Sequence, residues 1–303
     1  MKLVIALTLS LVPAAASGCA EAGPDAAWAQ TTVADTVEAR RIDFPVVPSY
    51  LQIGAPGLFP DGRALAGAED ETGDLVVTSI DGSVRKLAPP TRRDLWGFPG
   101  YTNGNARVSR DGRRIAYTWW NYEDEVDADL RVIDASGGEP SVVYEGRGGG
   151  AWEPAPMDWS PDGRWIAVAG PVDDDTWQIL LVPSDGGEPK LVRALGWQES
   201  NSVAFSLDGR YLAYDRAPTL DDVQHDIFVY DLEDGTERGV LTHPANDLLL
   251  GWSPDGSLLF RSDRAGSPAV WRVLIRQGRV DGLAPHGQAG LLARDRGGLR
   301  CLW

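Results

Sequence analysis

Apolar residues in this chain come in short runs rich in Val, Ile, Leu and aromatics, separated by Gly, Pro, Asp and Ser, and no long stretch repeats at helical spacing. The clearest run is Met157–Val168, MDWSPDGRWIAV. Pro161 presets φ for a turn, Asp162 can bond its own backbone two residues on, and Gly163 accepts the positive φ that completes it. An apolar strand follows. The pattern predicts an all-β protein built from hairpins.

The Asp-Gly pair recurs at Asp61-Gly62, Asp111-Gly112, Asp162-Gly163, Asp208-Gly209 and Asp255-Gly256, at spacings of 50, 51, 46 and 47 residues. The five copies read LFPDGRALAG, RVSRDGRRIAYT, DWSPDGRWIAVA, AFSLDGRYLAYD and GWSPDGSLLFRS, each a turn followed by a strand. A second strand follows in every copy: 74–79, 129–133, 178–182, 226–230 and 269–274. Second turns at Asp81-Gly82, Ser136-Gly137-Gly138, Asp185-Gly186-Gly187 and Asp234-Gly235 then imply a hairpin to a further strand, such as Lys190–Val192. Small antiparallel sheets at this period stack radially as propeller blades, each covering its neighbour's apolar face; a solenoid is the alternative. The expected fold is an all-β propeller with five clear four-stranded blades and an incomplete or composite sixth.

WSPDGRWIA followed by SDGGEPKLV resembles the PD-type repeat of TolB-like, WD-repeat-related six-bladed β-propellers of exported bacterial proteins, over residues 45–285. HPANDLLLGWSPDGSLLFRSDRAG resembles their last clear blades. The resemblance implies a further blade, whereas HGQAGLLARDRGGLRCLW has no repeat turn, so 286–303 is expected to be an irregular or truncated tail. One alternative is a short strand near Gly290–Ala293 that pairs with Ile42–Val47 to close the ring.

Composition narrows the partners. With Lys plus Arg at 28 against 44 for Asp plus Glu, the formal net charge is -16, which repels phosphates and excludes nucleic acid as the natural partner. Such acidity also keeps an exported protein soluble and monomeric. The two cysteines, Cys19 and Cys301, are too few for a disulfide framework or a cysteine zinc site. Lys2 and the apolar run LVIALTLSLV predict a signal peptide over 1–18, too short to span a bilayer as a helix. Ala16-Ser17-Gly18-Cys19 resembles a lipobox, with Ala16 where the motif prefers Leu. It implies lipidation at Cys19, a flexible tether over 19–40, a propeller body over 41–285 and a periplasmic or outer-membrane-anchored lipoprotein. Ordinary cleavage, after Ala16 or before Gln30, would instead leave a protein without an anchor.

Candidate chemistry is sparse. The Gly-x-Ser-x-Gly elbow that a propeller-bearing serine peptidase needs is absent from the sequence, so no catalytic residue, cofactor or metal site is assigned. His225 and His243 are set apart, without i, i+4 pairing, and read as structural residues rather than metal ligands. Acidic runs at 69–71, 123–129, 173–175 and 221–222 fall between the first and second repeat strands on one rim, where hydration explains them as well as calcium does. Trp159, Trp165 and Trp252 sit at the repeat anchors and are expected to pack blade on blade. Trp119, Trp120, Asn121, Trp152 and Trp197 fall at strand ends or between blades, and are the candidates to line a ligand-binding mouth. The expected function is a non-catalytic scaffold that binds a protein or peptide in the bacterial cell envelope. The alternative is an enzyme: the accessory propeller of a truncated prolyl-oligopeptidase-like peptidase, or a propeller lyase.

Overall fold

In the computed structural model the described residues are 57–69, 74–87, 101–121, 127–146, 154–171, 176–217, 224–285, 291–295 and 298–302. The leader, Cys19 and the tether lie outside them. Five antiparallel sheets follow one another, each a meander whose strands keep chain order. The first holds β1 (Gly57–Leu58), β2 (Ala64–Ala68), β3 (Leu75–Ser79) and β4 (Val84–Lys86). The second holds β5 (Tyr101–Val108), β6 (Arg114–Asn121), β7 (Asp127–Asp134) and β8 (Ser141–Glu145). β9 (Ala155–Trp159), β10 (Trp165–Pro171), β11 (Trp177–Pro183) and β12 (Lys190–Gly196) form the third. β13 (Val203–Phe205), β14 (Tyr211–Arg216), β15 (Asp226–Asp231) and β16 (Glu237–Leu241) form the fourth. The fifth begins with β17 (Asp247–Trp252), β18 (Ser257–Ser262), β19 (Ala269–Arg276) and β20 (Arg279–Pro285).

This is a β-propeller, and the repeat explains it. First strands of successive blades touch, β1 to β5, β5 to β9, β9 to β13 and β13 to β17, so they line the axis. Middle strands such as β10 and β11 are buried along most of their length because a blade covers each face. Outer strands β4 and β12 are mostly exposed. The core is accordingly divided among the seams: one apolar cluster joins blades 1 and 2, another blades 2 and 3, a third blades 3 and 4, and a fourth blades 4 and 5.

The Asp-Gly pair forms the turn between first and second strands. Asp162 Oδ1 accepts from the Ser160 hydroxyl at 2.6 Å and from Arg164 N at 3.0 Å, while Ser160 Oγ accepts from Trp165 N at 2.9 Å. Ser109 with Asp111 and Ser206 with Asp208 repeat all three bonds. Gly163 stands at φ 70°, in the left-handed region that a side chain would strain. The Ser160 hydroxyl and the Arg164 donors hold the Asp162 carboxyl down at about 2. These carboxylates are turn formers.

The repeat tryptophans pack blade on blade as expected. Trp159 is fully buried and its indole donates to Arg107 O of the preceding blade at 2.9 Å; Trp252 donates to Ala204 O of its preceding blade at 3.1 Å. Trp165 packs against the cluster between blades 3 and 4.

The tail corrects an expectation. Residues beyond 285 include two strands, β21 (Leu291–Asp295) and β22 (Gly298–Leu302), which extend the fifth sheet to six strands. β21 lies between β20 and β22, joined to β20 through Leu283 and Leu292, while Ile42–Val47 lies outside the described residues.

Candidate functional site

A sequential meander puts the first-to-second and third-to-fourth turns at one end of every blade, and the second-to-third loops with the inter-blade connections at the other. The Asp-Gly turns therefore share one rim. Trp119, Trp120, Asn121 and Trp197 lie toward the opposite one, while most of the acidic-run residues fall outside the described residues.

At the Asp-Gly end the first strands of all five blades enclose an axial cavity of about 290 Å³. Leu58, Leu207 and Leu250 line it, at 43%, 46% and 48% exposure, although large apolar side chains normally turn inward. A charged group lines the same cavity. Arg110 Nη2 donates to Phe205 O at 2.9 Å and lies 3.5 Å from Asp158 Oδ2, which also accepts from Phe205 N at 2.8 Å. Arg107 Nε donates to Met157 O at 2.8 Å. Burial pushes the Asp158 carboxyl up, against the pull of Arg110, and lowers the Arg107 guanidinium to about 10. Asp158 still keeps 28% of its side chain open. The arrangement offers apolar contact and fixed polar groups side by side, which suits holding a chain segment.

The sequence carries a signal for two of these residues. Arg110 and Leu207 stand where the other three copies carry Pro60, Pro161 and Pro254, so they are departures from the turn's own consensus.

The mouth candidates separate. Trp119 is 5% exposed with Arg131 over its ring at 5.0 Å, so it is a core residue with almost no ring surface to offer a ligand. Trp120 is half-buried near the end of β6, which Asn121 closes. Trp152 lies outside the described residues. Trp197, 59% exposed, follows β12 and keeps an open ring. None of the described members lines the axial cavity.

The histidines have local partners. His225 N donates to Asn246 Oδ1 at 2.9 Å, and its ring lies 3.2 Å from Asn201 Nδ2 and 3.7 Å from Asp215 Oδ1. His243 Nδ1 accepts from Ala245 N at 3.0 Å. Asp215 itself ties blade 4 to blade 5, accepting from Asn201 N, Ser202 N and Leu249 N. Among the described residues no group of three or more His, Cys, Asp or Glu has the geometry to hold a metal ion.

No known family profile matches the chain. Over 124 residues it is 32% identical to Atu1656, an uncharacterized protein of Agrobacterium fabrum, a stretch that is 41% of this chain and 39% of that protein. The match thus spans about two fifths of that relative. A putative TolB from Agrobacterium tumefaciens superposes with a TM-score of 0.56 at 19% identity, over 80% of this chain and 82% of that one. TolB from Acinetobacter baumannii gives 0.55 at 16% identity, over 81% and 59%. A prolyl endopeptidase gives 0.53 at 17% identity, over 79% of this chain and 39% of the enzyme. What the three structures share with this chain is the propeller.

Proposed function

We propose that this chain, a β-propeller with the fold of the TolB structures, is a binding scaffold of the bacterial cell envelope whose ligand is a protein or peptide segment held at the axial cavity. The observation that carries this reading is that exposed Leu58, Leu207 and Leu250 line one cavity together with the Arg110–Asp158 pair. Exposed apolar side chains contributed by separate blades surround one opening, and a segment entering it exchanges leucine hydration for contact with several blades at once. The polar groups beside them are already satisfied by backbone partners, so they fix orientation without a large desolvation cost.

Export and anchoring belong to the same proposal and rest on the leader and on Ala16-Ser17-Gly18-Cys19. A Cys19→Ala variant should move from the membrane fraction to the soluble fraction; an unchanged distribution removes the anchor. For the axial site, a photo-crosslinking residue at position 207 of the full chain should trap a discrete envelope partner. The same probe at Ile80, an exposed apolar residue in the turn between β3 and β4, should not. Equal trapping from both positions, or none from 207, would contradict the axial assignment.

A further inference from the structure

One position of the repeat, three residues after the aspartate, decides how each seam closes at the Asp-Gly end. It is held by Arg114, Trp165, Tyr211 and Leu258 in blades 2 to 5. Arg114 reaches across to blade 3, donating to Gly163 O, to Ser184 Oγ at 3.0 Å and to Asp185 Oδ1 at 3.0 Å, with its guanidinium over the Trp159 ring. Between blades 1 and 2, where Ala64 stands at that position, Arg85 does the same work through Ser136 O and Ala135 O at 3.0 and 2.7 Å. Tyr211 is 8% exposed, and its ring lies 3.3 Å from where a Cβ on Gly278 would stand. Those seams are shut.

The seam between blades 3 and 4 is not. Trp165 makes no bond to the blade 4 turn, and a cleft of about 490 Å³ remains, within the size range of small-molecule sites. Leu181, Val192, Phe205 and Leu232 supply apolar lining. Three donors also line it: among the described residues the Trp165 indole N–H, the Tyr230 hydroxyl and the Lys190 ammonium have no hydrogen-bond or ion-pair partner. Lys190 Nζ rests 4.3 Å from the Trp165 ring centroid. The acceptors there are mostly engaged, Asp162 by Ser160 and Arg164 and Asp208 through Oδ1 by Ser206 and Arg210. Donors in excess, one of them cationic, call for an acceptor-rich anion, and the lining calls for an apolar body.

We infer that the cleft between the third and fourth blades binds the carboxylate of a ligand with an apolar body, with Lys190, Trp165 and Tyr230 as its donors. This site is separate from the axial cavity and stands whether or not that cavity binds a segment. Its ligand is the C-terminus of a peptide ending in a large apolar residue, or a free small acid of the same kind.

Calorimetric titration of the full chain tests it, with N-acetylphenylalanine for the peptide terminus, 3-phenylpropanoate for the free acid, and N-acetylphenylalanine amide as the uncharged control. At least one acid should bind about tenfold or more tighter than the amide, as loss of a charge-assisted hydrogen bond implies. Whichever acid binds identifies the source. Lys190→Met and Tyr230→Phe should each weaken that acid, and Trp165→Arg, which copies the closed seam, should abolish binding. Should Trp165→Arg fold poorly, the other two variants still decide. Binding of neither acid, equal binding of the amide, or an affinity unchanged in Lys190→Met would overturn the assignment.

Discussion

Blades 2 and 3 meet through the same repeat as blades 3 and 4, yet one seam is sealed and the other gapes at the Asp-Gly end. The difference lies in one side chain. Arg114 is long, carries a fork of donors and finds acceptors on the far turn; Trp165, in the equivalent place, has one donor and reaches none of them. On the sealed side Trp159 is sandwiched, its indole bonded to Arg107 O and its ring under Arg114. On the open side Trp165 is half-buried, packs against the apolar cluster on one side and has Lys190 over its ring. A repeat thus supplies identical turns while single substitutions within it decide where surface is left for a ligand.

Breaking the sealed seam should cost most. Trp159→Ala removes a fully buried indole and is expected to destabilise by ~3–5 kcal/mol in urea titration. Arg114→Met, which keeps the stem but leaves the Gly163 and Ser184 acceptors without it, should cost about 1–3 kcal/mol. Lys190→Ala at the open seam should cost only about 0.5–1 kcal/mol, the worth of an exposed cation over an indole; a loss as large as that of Arg114→Met would mean the two seams are equally closed.

The smallest expected effect is in acid. The folded Asp162 carboxyl sits at about 2 against an ordinary 3.8, so its stabilisation is complete above pH 3.8 and is lost as pH falls toward 2. Asp111, Asp208 and Asp255 are shifted in the same direction. The melting temperature of the wild type should drop over that window, and Asp162→Asn should flatten part of the slope. The same slope in both would show that the Ser160 hydroxyl does not hold the carboxylate.

Much of the fold is legible in the residues. The Asp-Gly period places every blade, and the turn role of Asp162 follows from Ser160, Pro161 and Gly163 beside it. Trp159 and Trp165, six residues apart in one repeat copy, look alike in the sequence and differ in the structure, because what each meets is set by the neighbouring blade. Trp119 falls near a strand end in the sequence, but β6 is covered on both faces and the ring packs into the cluster between blades 1 and 2. The axial rim was half legible: Arg110 and Leu207 depart from the consensus proline, but only the ring of first strands shows that they face one opening with Leu58 and Leu250. The strands β21 and β22 carry no repeat turn, so the pattern that found the blades passes over them.

Solvent exchange of the tryptophan indole N–H groups, followed by NMR in the unliganded chain, tests the contrast most directly. The expected result is slow exchange at Trp159, which is buried and bonded to Arg107 O, and fast exchange at Trp165, whose N–H has no partner among the described residues. Equal protection of the two indoles would contradict an open seam between blades 3 and 4.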